Sequence, residues 1–209
     1  MYYLPGYHLS LSPDYLSTTM ASQTPDPPIP SPIFTTDKVI VRPYHPSDAS
    51  AMAALANDPE VTKTLRDRFP KPYTLEAAKE WIAHCLSLSP QLNFVIMTSS
   101  GTIIGAIGLE PSRGDIYSRA QELGYWLGKD YWGGGYASSA AHGFVRWAFA
   151  EFPQLLRIEA TSFQGNLGSE KVLTRAGFVK EGIRRQAIVK AGEVKDETIF
   201  GIIRSDLGD

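Results

Sequence analysis

The hydrophobic pattern changes period several times along the chain, and each change marks an element. DKVIVRPY, residues 37–44, alternates and is β-branched, which predicts a first strand. HPSDASAMAALAND, residues 45–58, switches to helical spacing, with Met52, Leu55 and Ala56 on one side. Pro46 stands near the start of that helix and Ser47 or Asp48 supplies its cap. A short second helix is predicted over PEVTKTL, followed by the loop RDRFPKPYT. Thr74 caps a third helix, with Glu76 and Glu80 early and Leu75, Ala78, Trp81, Ile82 and Cys85 as an apolar stripe.

NFVIMTS and TIIGAIGLE, joined by a short turn at Ser100 and Gly101, read as the next two strands, and AQELGYWLG follows a polar loop as a further one. The triplet Gly133, Gly134 and Gly135 then precedes a helix reaching about Glu151, and LRIEATSF is the next strand. NLGSEKVLTRA is a helix that stops at Gly177, a residue suited to the left-handed conformation. FVKEGIRRQAIVK and VKDETIFGIIRS are long strands turning at Ala191 and Gly192. A helix between YWL and RIEA requires one parallel crossover in an otherwise antiparallel sheet. The expected fold class is therefore α/β (α+β): a mixed, mostly antiparallel sheet of about seven strands with helices on both faces.

Composition changes the picture at the N-terminus. SQTPDPPIPSP cannot hold helix or interior strand, so residues 1–32 read as a flexible Pro/Ser-rich tail and 33–209 as the domain. Met20 precedes ASQTPDPP, which leaves Met1 and Met20 as alternative starts of translation. The first twenty residues lack a basic n-region and an apolar h-region, which argues against a secretory signal. A formal net charge of −2 gives no general field for nucleic acid or an anionic membrane. Cys85 is the only cysteine, so no intrachain disulfide forms, and a cytoplasmic or nuclear location fits. His8, His45, His84 and His142 are scattered, and no HExxH or CxxC spacing is present, so no metal is expected.

The glycine triplet raises the chemical question. A helix start exposes unpaired N–H groups with partial positive charge, and glycines before it let those groups converge on a phosphate. A tight turn with no ligand is the plain alternative. No Lys-Ser/Thr follows as in a P-loop, and Ser138 stands where GxGxxG needs glycine, so a nucleotide hydrolase or dinucleotide enzyme is disfavoured.

ELGYWLGKDYWGGGYASSA, followed by RIEA, NLGSEKVLTRAGF and EGIRR, resembles the GNAT superfamily of acetyl-CoA-dependent N-acetyltransferases. RPYHPSDA and FPKPYT place the resemblance in its RimJ/RimL-like branch, over about residues 36–207. The superfamily's pyrophosphate loop is Gln/Arg-x-x-Gly-x-Gly/Ala, occupied here by Trp132, Gly133, Gly134, Gly135, Tyr136 and Ala137. The resemblance implies acetyl-CoA as cosubstrate, a primary amine as acceptor and a homodimer as in many members. It also implies a sheet splayed between the fourth and fifth strands. Tyr125, Trp126 and Leu127 of the fourth strand would pair with the pantetheine arm, and a backbone N–H there would polarise the thioester carbonyl.

Residue by residue, Glu122 matches the position where several members carry a glutamate base. It shares a strand face with Gly124 and Trp126, opposite Leu123, Tyr125 and Leu127. An ion pair with an arginine such as Arg119 is its structural alternative, and Glu159 in RIEA is the competing base on the acceptor side. Asn166 matches the asparagine that bonds pantetheine and also reads as a helix N-cap. Ser169 matches the serine that protonates the departing thiolate; the tyrosine many members carry seven residues after the asparagine is Leu173 here. Phe69 and Tyr73 lie in the loop that walls the acceptor side, or close the core over the sheet. Lys171 and Arg175 could meet the CoA 3′-phosphate or form a solvated face. A non-catalytic acyl-CoA sensor is the rival reading of the same loop.

Overall fold

The computed structural model describes residues 26–111 and 115–208. The tail predicted over residues 1–32 falls mostly outside them, as does the alternative start at Met20; residues 26–32 carry neither helix nor strand. The element order is β1 (Phe34–Thr35), β2 (Val39–Pro43), α1 (Ala49–Ala56), α2 (Pro59–Thr62), α3 (Leu75–Ser87), β3 (Asn93–Thr98), β4 (Ile103–Pro111) and β5 (Ala120–Leu127). It continues with α4 (Tyr136–Glu151), β6 (Arg157–Phe163), α5 (Leu167–Arg175), β7 (Val179–Lys190) and β8 (Glu193–Ile203). The eight strands form one sheet in the order β1-β2-β3-β4-β5-β6-β8-β7, and only β5 and β6 run parallel. The crossover between them is α4, as the helix between YWL and RIEA requires.

The strand read as the fourth is thus the fifth. The extra strand, β1, has two residues, too short for any periodicity, and forms because it pairs with Val41 and Ile40 of β2. Its Phe34 ring lies where a side chain at Gly143 of α4 would otherwise stand, 2.5 Å from that Cβ position.

Each face of the sheet carries its own core. Leu123 and Leu127 point with Phe94, Ile107 and Ile158 into a cluster completed by Phe144, Val145 and Phe149 of α4 and Leu173 of α5. On the other face Val95 and Ala106 pack against Met52 and Ala56 of α1 and Ala78, Ile82 and Cys85 of α3, with Trp126 at the margin. Alternation along β5 sorts its residues between these two cores. In α3 the buried stripe is narrower than the sequence suggests: Leu75 is 38% and Trp81 36% exposed, because the sheet meets only the face of Ala78, Ile82 and Cys85.

The start of α1 also differs from expectation. Asp48 does not cap α1 with its side chain. His45 and Asp48 instead make a reciprocal box around the one-turn 3-10 helix Pro46–Asp48, in which Asp48 accepts from the His45 amide at 2.8 Å. The Asp48 carboxylate also receives two bonds from Arg42, at 2.7 and 2.8 Å, both side chains buried. Thr74 caps α3 as predicted, accepting from the Ala77 amide at 3.1 Å. The β7–β8 turn is left-handed at both positions, φ 51° at Ala191 and 82° at Gly192, which fits a two-residue hairpin.

Candidate active site

Strands β5 and β6 pair only over Ala120, Gln121 and Glu122, opposite Arg157, Ile158 and Glu159. Beyond Glu122, β5 stays bonded to β4 as far as Leu127, while β6 continues against β8. The sheet therefore forks, leaving the β5 edge from Leu123 to Leu127 without a strand partner on its β6 side. Open space adjoins Gly124, where an added Cβ would meet nothing within 4 Å.

The glycine loop lies between the fork and α4. Gly133 and Gly135 have φ of 76° and 80°, a backbone that other residues adopt only with strain. Gly135 is the N-cap of α4 and offers no side chain to the first-turn amides, so those donors are left for an external acceptor. Trp132 is 49% exposed and its indole N–H donates to the Leu127 carbonyl at 2.9 Å, tying the loop to the end of β5. Tyr136 and Ala137 pack against the α4-side core. Lys38, just before β2, donates its Nζ to the Gly134 carbonyl at 3.3 Å and brings a cation to the loop.

At the root of the fork, Glu110 of β4 is in register with Glu122 and Glu122 with Glu159, a row of three carboxylates on one face. This is the face of Trp126, by strand parity. Glu122 pairs with Arg66 from the loop between α2 and α3, and accepts from Thr161 Oγ1 at 3.2 Å. Arg66 also lies 3.8 Å from Glu110, which is paired with Arg68. Glu159 is 8% exposed and 3.8 Å from Arg157, whose guanidinium is also held by Glu181. Arg119, the arginine named for the alternative ion pair with Glu122, donates to the Gln154 carbonyl at 2.6 Å. Phe69 stacks on Tyr73 at 4.7 Å and meets Trp126 edge-on at 5.9 Å, so an aromatic wall stands beside the carboxylates. Tyr73 is buried in the second core and Phe69 is partly exposed.

On the opposite face, Tyr125 spans the fork to α5. Its hydroxyl is 2.8 Å from Ser169 Oγ. Burial pushes the Tyr125 phenol up to about 12, only partly offset by that hydrogen bond. Asn166 caps α5, its Oδ1 accepting from the Ser169 amide at 3.2 Å, so Tyr125, Ser169 and Asn166 form one connected set. Leu173 is fully buried in the core. Lys171 and Arg175 are exposed on α5.

Residues 38–179 match the acetyltransferase (GNAT) domain model. The chain belongs to the GNAT family. The N-acetyltransferase p20 of Bacillus licheniformis, itself uncharacterized, is 30% identical over 176 residues, covering 82% of this chain and 96% of that protein. The ribosomal-protein-S5-alanine acetyltransferase of Vibrio fischeri is 26% identical, with a TM-score of 0.71 over 84% of this chain and 98% of that one. RimJ of Mycobacterium smegmatis, solved with CoA-disulfide, shares the fold at 22% identity, with a TM-score of 0.71 over 86% and 92% of the two chains. The protein is an N-acetyltransferase, an acyltransferase of a family that uses acetyl-CoA.

In this GNAT domain the residues singled out in the sequence fall into three groups. Trp132 to Ala137 with Tyr125, Trp126 and Leu127 border the fork, Asn166 and Ser169 flank its α5 side, and Glu122, Glu159, Phe69 and Tyr73 lie on the opposite face. Lys38 and Arg66 were not legible in the sequence. They reach the site across 96 and 56 residues of chain, and neither residue belongs to a stretch that carries the resemblance. Among the described residues no three His, Cys, Asp or Glu side chains gather as a metal site, and no helix is long and apolar enough to cross a membrane.

Proposed function

We propose that the chain moves the acetyl group of acetyl-CoA to a primary amine by direct attack in a ternary complex. The acceptor is an α-amine of a protein or peptide, or a small-molecule amine of similar basicity. One observation carries the reading: the sheet forks at Glu122, and the fork leads to a glycine-rich helix start with uncapped amides. The residues present fit CoA. The amides of Gly133 to Ala137 would hold its pyrophosphate, with Lys38 as an added cation, while the unpaired β5 edge and the Asn166 carboxamide would hold the pantetheine arm.

Acetyl-CoA supplies the activated carbonyl, and the side chains manage two protons. On the acceptor face Glu122 takes a proton from the attacking amine, directly or through one water, as the C–N bond forms. On the other face Ser169 Oγ–H hydrogen-bonds the departing sulfur as the C–S bond breaks, backed by the Tyr125 hydroxyl. A thiol of ordinary pKa about 8.5 leaves without strong assistance, so Leu173 in the core is compatible with turnover. An α-amine, with pKa about 7.7–8.0, is partly neutral at physiological pH, whereas a lysine near 10.4 is not. One glutamate already engaged by Arg66 suits the weaker base, and the similarity to a ribosomal-protein-S5-alanine acetyltransferase supports a protein acceptor.

The test is release of free thiol from acetyl-CoA across a panel of amines, with Glu122→Gln alongside. The variant should keep its affinity for acetyl-CoA and lose about 10²- to 10⁴-fold in turnover, most severely at low pH. A full-rate variant transfers the role to Glu159 or removes it. Tight CoA binding with no turnover on any amine would mark a sensor.

A further inference from the structure

Lys190 closes β7, next to the exposed hairpin turn, yet its side chain is only 8% exposed. An ammonium withdrawn from water must find acceptors. Its Nζ donates to the Leu65 carbonyl and to Asp67 Oδ1, both at 2.5 Å. The hydrogen bond from Lys190 is the main reason the Asp67 carboxyl sits below its ordinary pKa. Leu65 and Asp67 are the two chain neighbours of Arg66. Arg66 is the residue that pairs with Glu122, and Arg68, one step further, pairs with Glu110. A single buried cation thus grips the loop on both sides of the arginine that covers the carboxylate row. Phe69, which meets Trp126 on the acceptor face, follows in the same loop.

We propose that Lys190 is a positioning residue for the acceptor side, acting through Arg66. It fixes the loop between α2 and α3 so that Arg66 lies on Glu122 and Phe69 on Trp126, and it makes the β7–β8 hairpin part of the acceptor wall. The inference rests on the reading of Glu122 as facing the acceptor. Short-range bonds within residues 63–74 do not substitute for the grip. Between the helix ends at Lys63 and Thr74 the loop's own backbone makes two turns, Leu65 N to Thr62 O at 3.3 Å and Phe69 N to Arg66 O at 3.0 Å, and the Tyr73 amide, beyond the arginines, donates to Asn57 Oδ1 at 3.1 Å. Without Lys190, the ordering of this wall falls on the acceptor's binding step instead of being present beforehand.

Two measurements test this. Hydrogen exchange followed by mass spectrometry on the full chain should show faster exchange over residues 63–70 in Lys190→Met, with α4 and β6 unchanged. Asp67→Ala, at a residue whose own side chain is 69% exposed and which leaves the Lys190 bond to the Leu65 carbonyl in place, should act in the same direction. With the best amine from the panel, Lys190→Met should raise the acceptor KM about threefold to tenfold, with little change in kcat or in the acetyl-CoA KM. The double variant Lys190→Met/Arg66→Gln should be no worse than the more affected single variant. Unchanged loop exchange in both single variants, or effects on acceptor KM that multiply in the double variant, would overturn the proposal. If no amine is turned over, the functional reading fails while the exchange experiment still decides the clamp.

Discussion

Tyr125 stands with its hydroxyl 2.8 Å from that of Ser169, and the pair bridges the open side of the fork. A phenol pushed up to about 12 stays protonated at neutral pH, so its role there is hydrogen bonding and not proton abstraction. Tyr125→Phe should therefore cost turnover about twofold to tenfold, the worth of one hydrogen bond, with the acceptor KM unmoved; steady-state kinetics checks it. A far larger loss would make the phenol itself a proton donor. The sequence singled out Tyr125, Ser169, Asn166 and Glu122 through resemblance to one family over two separate stretches, and the structure brings the first three together. What it hid was the company of Glu122. Arg66 was invisible because an ion pair between a loop and a strand leaves no periodicity, and Arg119 was nominated only because it was near in the chain.

Among the elements, local pattern carried most boundaries because each strand and helix faces a core on at least one side. The 3-10 turn before α1 was misread, since Ser47 and Asp48 both look like caps. The true device uses Asp48 twice, for the His45 amide and for Arg42. Both side chains of that pair are at most 5% exposed. Asp48→Asn should accordingly destabilise the fold by about 3–5 kcal/mol, because Arg42 would be left buried without its counter-charge. Urea denaturation would show it, and a loss below about 1 kcal/mol would mean that water reaches the guanidinium. The fork itself was not legible from hydrophobic pattern. Nothing in AQELGYWL marks where the neighbouring strand is bonded, as at Glu122, and where it is absent, from Leu123 on; only the resemblance to a known family implied it.

For the molecule as a whole, burial in two cores sets how stability varies at alkaline pH. Cys85 rises from 9.0 to about 12, and Tyr73 and Tyr125 from 10.0 to about 12, each mainly through desolvation. The folded chain keeps these protons after the unfolded chain has lost them, so their contribution is complete below about pH 9 and drains away between pH 9 and 12. Thermal unfolding midpoints should fall steadily across that window, and Cys85→Ala should flatten the first part of the decline. On the proposed reading the acceptor would meet a wall built from the α2–α3 loop, β5 and the β7–β8 hairpin, which is why no single stretch of sequence declared it. The central claim is narrower: the amides from Gly133 to Ala137 hold the CoA pyrophosphate. Calorimetric titration of CoA into the wild type, Gly135→Asn and Gly135→Glu addresses it directly, because asparagine tolerates the left-handed backbone while glutamate adds bulk and negative charge. Binding that survives in the asparagine variant and is lost in the glutamate variant is the predicted result. Equal affinity in all three would contradict it.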